Sequence, residues 1–287
     1  MRIQKSFSSD GAKLYLVATP IGNLGDITLR AIETLKEVDY IACEDTRVTI
    51  KLLNHYEISK PLISYHEHNK YDAGVGIIQK LQEGKSVALV SDAGTPCISD
   101  PGYEIVRMAI ESDIPVVSIP GASAVLSALI TSGLAPQPFT FYGFLDHKKS
   151  ARKKQLEELK YHPYTLVFYE SPHRFRETIE IMSEVLGERN VAIAREITKK
   201  FEEVYRGLVQ DVNSYYENIK GEIVIIVEAN THPQVPDNSL LEMDIIDHVD
   251  YYIEEFGLSK NDAIKQVAVE RNLAKRDVYN HYHQQQQ

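Results

Sequence analysis

The chain has few cysteines and no long hydrophobic segment. Its 287 residues include two cysteines, Cys43 and Cys97, which provide neither a disulfide framework nor the spacing of zinc ligands. A reducing cytoplasm fits such a sequence. No apolar run approaches the roughly 20 residues of a membrane-spanning helix, and the run at residues 14–18 is too short for a signal-peptide core. We therefore expect a cytoplasmic protein without a membrane partner.

Several common ligand-binding fingerprints are also missing. No phosphate-binding P-loop occurs, and the pair Gly74 and Gly76 lacks the third glycine of the dinucleotide-binding fingerprint. The triplet His66-Glu67-His68 does not have the helical spacing of a two-histidine zinc site, and alternate residues at a strand end point in opposite directions. For this triplet we rank substrate contact first, a solvated loop second and a metal site third. The sequence thus predicts no bound metal.

Acidic residues outnumber basic ones, 41 to 31, and the net charge is −10. This balance argues against a nucleic-acid partner, whose phosphates attract lysine and arginine. The distribution matters more than the sum, because one segment is densely basic. It contains Lys148, Lys149, Arg152, Lys153 and Lys154. This basic segment is either the solvated start of a helix or a track for a nucleic-acid backbone.

Strand-like and helix-like segments alternate through residue 230. Before residue 135, such alternation predicts βαβ units and a mainly parallel sheet, and a second α/β unit follows. A glycine- and proline-rich break near residue 135 indicates a domain boundary, and the β-branched run Ile223–Val227 is typical of a central strand. We predict an α/β protein with two α/β domains, residues 1–135 and 136–230, followed at residues 231–287 by a linker and a helix-turn-helix-like tail.

The tail has a helical period. Its apolar residues recur at helical spacing up to Gly257, which is expected to end that helix. Ser259 and Asp262 resemble a capping box that begins the next helix. A third helix is expected from about Ala274.

Three loops rich in glycine and proline follow strands of the first domain. They span residues 19–26, 92–102 and 120–124. One such loop is ordinary turn chemistry. In an open α/β sheet, however, ligands bind at the carboxyl ends of strands, so three loops at one edge would form a pocket lined by backbone groups.

Longer motifs carry a resemblance to a known family. They lie at residues 18–26, 43–47, 64–69, 91–96, 119–123, 168–174 and 195–200. With these motifs the chain resembles the tetrapyrrole-methylase superfamily of S-adenosylmethionine-dependent methyltransferases. Within that superfamily it is similar to the branch that methylates small-subunit ribosomal RNA. The motifs are long, occur in the same order and extend over roughly residues 14–228.

The resemblance implies a function, a cofactor and partners. It implies methyl transfer from S-adenosyl-L-methionine to the ribose 2′-oxygen of a cytidine in the decoding region of 16S rRNA, within the small ribosomal subunit. It also implies a homodimer, and two α/β domains with the cofactor in the cleft between them. The cofactor contacts implied by motif position are Pro20, Asp92, Ala93, Gly94, Thr95, Ile98, Ser123, Ala124 and Gly207. Where much of the superfamily has Gly-Asp-Pro, this chain has threonine at position 95, so the nearby Asp92 is the substitute ribose contact.

Charged or titratable residues at four strand ends are the candidates for catalysis and RNA contact. A ribose hydroxyl is a poor nucleophile, and a base that takes its proton typically contributes about 10²–10⁴-fold. The candidate bases or proton relays are Asp45, His66 and Glu170. The candidate phosphate contacts are Arg47, Arg174, Arg195 and Lys199. Helix capping by Asp45 and structural ion pairs are the competing explanations.

Two other functions remain open from the residues. A related methylase acting on a tetrapyrrole or a protein side chain would share the fold. The sequences of the motifs and the basic segment favour an RNA substrate instead. A non-catalytic ribosome-assembly factor would bind RNA without binding the cofactor. Cofactor binding by the purified protein distinguishes the last of these.

Overall fold

The computed structural model describes residues 3–6, 11–216, 218–230 and 238–284. The chain divides into two compact units, Met1–Asn230 and Thr231–Gln287. The predicted linker, residues 231–237, lies outside the described residues. Within the described part of the chain, no helix has the length and apolar character needed to cross a membrane.

The first sheet is fully parallel, as the sequence predicts. Its strands are β1 (Leu14–Val17), β2 (Tyr40–Cys43), β3 (Leu62–Ser64), β4 (Val87–Val90) and β5 (Val116–Ile119). Their order is β3-β2-β4-β1-β5, and all four neighbouring pairs are parallel. All four residues of the central strand β4 are buried, which explains its continuous apolar sequence.

Helices cover both faces of this sheet. They are α1 (Leu29–Glu37), α2 (Thr46–His55), α3 (Lys70–Gln82) and α4 (Tyr103–Glu111). Leu35 of α1 and Leu53 of α2 belong to one core cluster, and Ile77 of α3 and Ile105 of α4 belong to another. Each fully buried aliphatic side chain of this kind contributes about 1.5–3 kcal/mol.

The second sheet is mixed. Its strands are β6 (Phe139–Phe144), β7 (Thr165–Glu170), β8 (Asn190–Arg195), β9 (Glu203–Leu208) and β10 (Ile223–Val227). The order is β6-β7-β10-β8-β9, with one parallel pair, β6 with β7, and three antiparallel pairs. The prediction of a central strand at Ile223–Val227 is confirmed, since β10 is the middle strand and is buried throughout.

Helices also cover both faces of the second sheet. They are α5 (Ala124–Ser132) on one face, and α6 (Lys149–Leu159), α7 (Phe175–Leu186) and α8 (Val212–Tyr215) on the other. Leu129 of α5 packs in the cluster that contains Ile226 of β10. The helix that follows the first sheet in the sequence therefore contributes to the core of the second sheet.

The second unit is helical. Its helices are α9 (Asn238–Glu242), α10 (Ile245–Phe256), α11 (Lys260–Glu270) and α12 (Lys275–Gln284). Val249, Ile264 and Val278 form its small core with neighbouring apolar residues. Gly257 ends α10 in the left-handed conformation, and the Ser259 side chain accepts a hydrogen bond from the backbone of Asp262. Both predicted helix-end signals are confirmed.

Candidate functional site

The site lies where the chain reverses its direction across the first sheet. From β1 the chain proceeds through α1 toward β2, whereas from β4 it proceeds through α4 toward β5. The two helices pack in separate core clusters. The loops that leave the neighbouring strands β1 and β4 consequently lead to helices in different core clusters. Ligands of open α/β sheets bind at such a switch point.

Reciprocal hydrogen bonds join the first two loops. The Thr19 amide donates to the Gly94 carbonyl at 2.9 Å, and the Gly94 amide donates to the Thr19 carbonyl at 3.1 Å. The buried Thr19 hydroxyl donates to the Ser91 carbonyl, and the Ser91 hydroxyl donates to the Gly94 carbonyl. Gly94 has φ +84°, which favours glycine. These bonds fix the positions of the two loops.

The third loop lies against the other two. The Thr95 hydroxyl donates to the Ala122 carbonyl at 3.3 Å. A Cβ atom on Gly121 would lie 2.9 Å from the Cβ of Ala18, so glycine is required for this approach. The predicted convergence of three loops at one edge of the sheet is confirmed.

A cavity of about 310 Å³ opens beside these loops. Its lining comprises Thr19, Pro20, Ile21, Gly22, Leu24, Val48, Thr49, Lys51, Leu52, Ser91, Asp92, Ala93, Lys199 and Glu222. Three of the predicted cofactor contacts, Pro20, Asp92 and Ala93, therefore line the cavity.

The other predicted cofactor contacts lie outside this lining. Gly94, Thr95 and Ile98 follow in the same loop, and Ser123 and Ala124 begin α5. Gly207 lies on β9 of the second sheet, paired with Val191. The structure brings most of the predicted contacts to one edge of the first sheet, where three of the nine line the cavity.

A segment of the second sheet closes one side of the cavity. The Thr198 hydroxyl donates to the Asp26 carboxylate at 2.5 Å, across 172 positions of sequence. The next residue, Lys199, lies over Gly22, where an added Cβ would come within 2.3 Å of the lysine Cε. Lys199 Nζ also pairs with Glu196 at 2.8 Å and Glu222 at 3.1 Å. The cavity wall therefore contains residues from both α/β domains.

Two of the three candidate bases are engaged in structural contacts. Asp45 caps α2 by accepting from the Arg47 amide, and it pairs with the Arg47 guanidinium at 2.6 Å. These bonds lower the pKa of Asp45 to about 2. Glu170 is buried, accepts from the Ser171 amide and the Thr178 hydroxyl, and pairs with Arg174 at 2.8 Å. Hydrogen bonds and ion pairs thus occupy the oxygens of both carboxylates.

His66 lies in a cluster of carboxyl groups. Its backbone amide donates to Asn69 at 2.8 Å, whereas its ring Nδ1 is shielded from solvent and has no hydrogen-bond partner among the described residues. Burial and the charge of Asp92 raise the pKa of Glu44, and the His66 ring opposes that shift. Burial, Glu44 and Asp92 also raise the pKa of Asp100 to about 6. Glu44, Asp92 and Asp100 thus form a cluster of interacting carboxyl groups beside the cavity.

All four predicted phosphate contacts pair with carboxylates, and three of them are also largely shielded from solvent. Arg174 pairs with Glu170, and its guanidinium also donates to the Leu145 carbonyl. Arg195 pairs with Glu203 at 2.8 Å, and Lys199 is held as described above. Arg47, by contrast, has a largely exposed side chain despite its pairing with Asp45.

The basic segment is also largely paired. Arg152 is buried and donates to the Thr178 hydroxyl at 2.6 Å and to the Glu177 carboxylate at 3.1 Å. Lys153 pairs with Glu184 at 2.6 Å. Lys149 and Lys154 lie 3.7 and 3.9 Å from glutamates. Most of the local positive charge thus holds α6 in place.

A family model for tetrapyrrole (corrin/porphyrin) methylases matches residues 13–213. The chain belongs to this methylase family. The match extends over the three loops, the cavity and most of the second sheet.

Similar proteins are known over the full length of this methylase. A Bacillus subtilis (strain 168) protein is 50% identical over 99% of both chains, and a Streptococcus pyogenes serotype M18 protein is 46% identical over 99% of both. Each is named ribosomal RNA small subunit methyltransferase I.

Solved structures of related methylases share the fold. A cobalt precorrin-4 methyltransferase aligns with a TM-score of 0.59 at 17% identity, covering 75% of this chain and 94% of its own. A Thermus thermophilus uroporphyrin-III C-methyltransferase complexed with S-adenosyl homocysteine aligns at 0.55 and 18%, covering 76% and 97%. These structural alignments confirm the α/β fold predicted for the chain.

Sequence reasoning missed the contribution of α2 to the cavity. Val48, Lys51 and Leu52 lie on this helix and line the cavity. Their i, i+3 and i+4 spacing places them on one side of the helix. That spacing was a usable signal, but it is also the ordinary pattern of a helix packed on a core.

Proposed function

We propose that this protein transfers a methyl group from S-adenosyl-L-methionine to 16S rRNA of the small ribosomal subunit. The observation that carries the proposal is the near full-length identity of about half the residues to proteins named for this reaction. The acceptor is proposed to be the ribose 2′-hydroxyl of a cytidine in the decoding region, as the motifs imply.

The chain's residues fit a role in binding the cofactor. The backbone of the loops after β1, β4 and β5 provides amide and carbonyl groups at a switch point, and the positive φ of Gly94 allows the tight turn between them. We assign the contacts to Pro20, Asp92, Ala93, Gly94, Thr95, Ile98, Ser123, Ala124 and Gly207. When bound, the cofactor supplies an electrophilic methyl group.

Thr95 takes a structural role in this proposal. Its hydroxyl already donates to the Ala122 carbonyl, which joins two of the loops. Asp92 lines the cavity, and one of its oxygens accepts from the Asp45 amide at 3.1 Å. That bond fixes the orientation of the carboxylate, which supports Asp92 as the ribose contact.

Alignment of the acceptor oxygen is the main task of the protein. Positioning alone supplies up to roughly 7–11 kcal/mol of the barrier. Among the candidate bases, we assign His66 as the group that accepts the proton of the ribose hydroxyl, because Asp45 and Glu170 are occupied by hydrogen bonds and ion pairs. Asp45 and Glu170 then act as positioning residues for α2 and β7. We also propose that the protein is cytoplasmic and acts as a homodimer.

A labelling experiment tests this function. Purified protein is incubated with methyl-labelled cofactor and small subunits that lack the modification. We expect label in 16S rRNA, and a block of alkaline cleavage on the 3′ side of one cytidine. Absence of label, or label on a base, would contradict the proposal.

A pair of variants tests the placement of the site. Ala93→Trp fills the cavity wall and should abolish transfer without lowering the melting temperature. Ala135→Trp, at an exposed position before β6, is the matched control and should retain activity. Equal activity of the two variants would show that the cavity has no role in methyl transfer.

A further inference from the structure

One wall of the cavity is formed by α2. Val48 and Leu52 present apolar side chains there, and Lys51 lies between them in sequence. Arg47 precedes Lys51 by four residues, which places both cations on the same side of the helix. The helix therefore combines an apolar wall with a cationic edge.

Lys51 differs from the other cation of the lining. Lys199 is held between Glu196 and Glu222, whereas Lys51 is exposed and forms no ion pair with any described residue. Its charge is consequently available to an incoming anion. A lysine in this state binds phosphate as a point charge.

The size and lining of the cavity limit its occupant. About 310 Å³ lies at the lower end of the range of roughly 300–1,000 Å³ found for small-molecule sites. One nucleoside fits such a volume, and a folded RNA segment does not. Ile21, Val48 and Leu52 provide apolar surface for a ring.

The cavity lining contains only part of the assigned cofactor contacts. Pro20, Asp92 and Ala93 line the cavity, whereas Gly94 and Ser123 lie outside its lining. Most of the assigned contacts therefore lie outside the cavity, which leaves its remaining lining to a second ligand. Such a ligand would meet the cofactor at Asp92 and Ala93.

We propose that the cavity takes the acceptor nucleoside of the RNA, turned out of its stack, and that Lys51 holds a phosphate that flanks it. Arg47, one turn earlier, holds a second phosphate. This inference rests on the proposed function and assigns the acceptor side of the same site. Enzymes that act on one nucleotide commonly extrude it into such a pocket.

The test compares Lys51→Glu with Lys36→Glu. Lys36 is an exposed lysine on α1 that forms no ion pair with a described residue, so it controls for the change of net charge. We measure binding of unmodified small subunits by filter retention, methyl transfer from labelled cofactor, cofactor affinity by calorimetry and the melting temperature of each variant.

We expect Lys51→Glu to raise the Kd and KM for subunits about tenfold or more, the effect of losing one charge-assisted contact. The kcat, cofactor affinity and melting temperature should stay close to those of the wild type. Because each phosphate contact contributes about 0.7–0.9 to the slope of log affinity against log salt, Lys51→Ala should reduce that slope by about one. A merely structural lysine would not change it.

Three results would overturn the inference. They are unchanged subunit binding by Lys51→Glu, an equal loss in Lys36→Glu, and weaker cofactor binding, which would assign the cavity to the cofactor. Failure of the proposed function is a separate result, in which wild-type protein transfers no methyl group. Subunit binding still reports on Lys51 in that case.

Discussion

Gly121 and Ala18 approach so closely that a methyl group on the glycine would lie 2.9 Å from the alanine Cβ. This contact brings the loop after β5 against the end of β1. The positions of these loops thus depend on residue 121 having no side chain. A substitution at this position should affect stability and activity together.

We predict that Gly121→Ala lowers the free energy of unfolding by about 1–3 kcal/mol, because the added methyl group overpacks the contact. Gly76→Ala is the matched control. No atom lies within 4 Å of its added Cβ, and Gly76 is inside α3, so this change should stabilise by about 0.5–1 kcal/mol. Urea unfolding measures both. Equal effects would mean that the Gly121 contact is not tight.

We predict that Arg152→Met lowers stability by about 3 kcal/mol. The buried guanidinium bonds Thr178, whose hydroxyl donates to Glu170, so its removal leaves buried polar groups without partners. Lys154→Met removes an exposed cation from the same helix and should change stability by less than about 0.5 kcal/mol. Chemical denaturation compares them, and a mild Arg152 phenotype would contradict the assignment.

We predict that Asp100→Asn stabilises the protein increasingly as pH rises. The folded pKa of Asp100 is raised to about 6 by burial, Glu44 and Asp92, so the wild type loses stability as pH rises through that value. The gain at pH 7.5 should be on the order of 2 kcal/mol. Melting temperatures at pH 4.5 and 7.5 measure it. Asp72→Asn, at an exposed position, should show no such growth.

We predict that the helical unit loses stability below about pH 6.5. His248 is fully buried, accepts from Arg271 Nε at 3.0 Å, and lies 3.0 Å from Glu270 without hydrogen-bond alignment. Burial lowers its pKa, so the stability present above the unfolded pKa decreases as pH falls. Hydrogen exchange should show protection of α10 and α11 decreasing from pH 7.5 to 5.5. The same decrease in His248→Gln would refute this cause.

The strands and loops could be predicted because their signals are local. Val87–Val90 is apolar at every position, and it is the central strand of its sheet. The loops after β1, β4 and β5 combine glycine and proline with strand ends. The parallel sheet then brings the loops together by topology alone.

The roles of the charged residues could not be predicted in this way. Arg195 lies opposite Glu203 in the β8–β9 pair, and Lys199 meets Glu222 from a distant segment. Single residues do not reveal which of them a fold will pair, since pairing depends on register and tertiary approach. Lys51 differs from Lys199 only in what lies around it.

The bond between Thr198 and Asp26 has a consequence for synthesis of the chain. At about 5–20 residues per second, the ribosome needs roughly 10–35 s to add the 172 positions that separate them. Throughout that interval the nascent first sheet carries its loops with one wall of the cavity missing. A translation product truncated before Thr198 would accordingly lack the part of the cavity wall formed by Lys199 and Glu222.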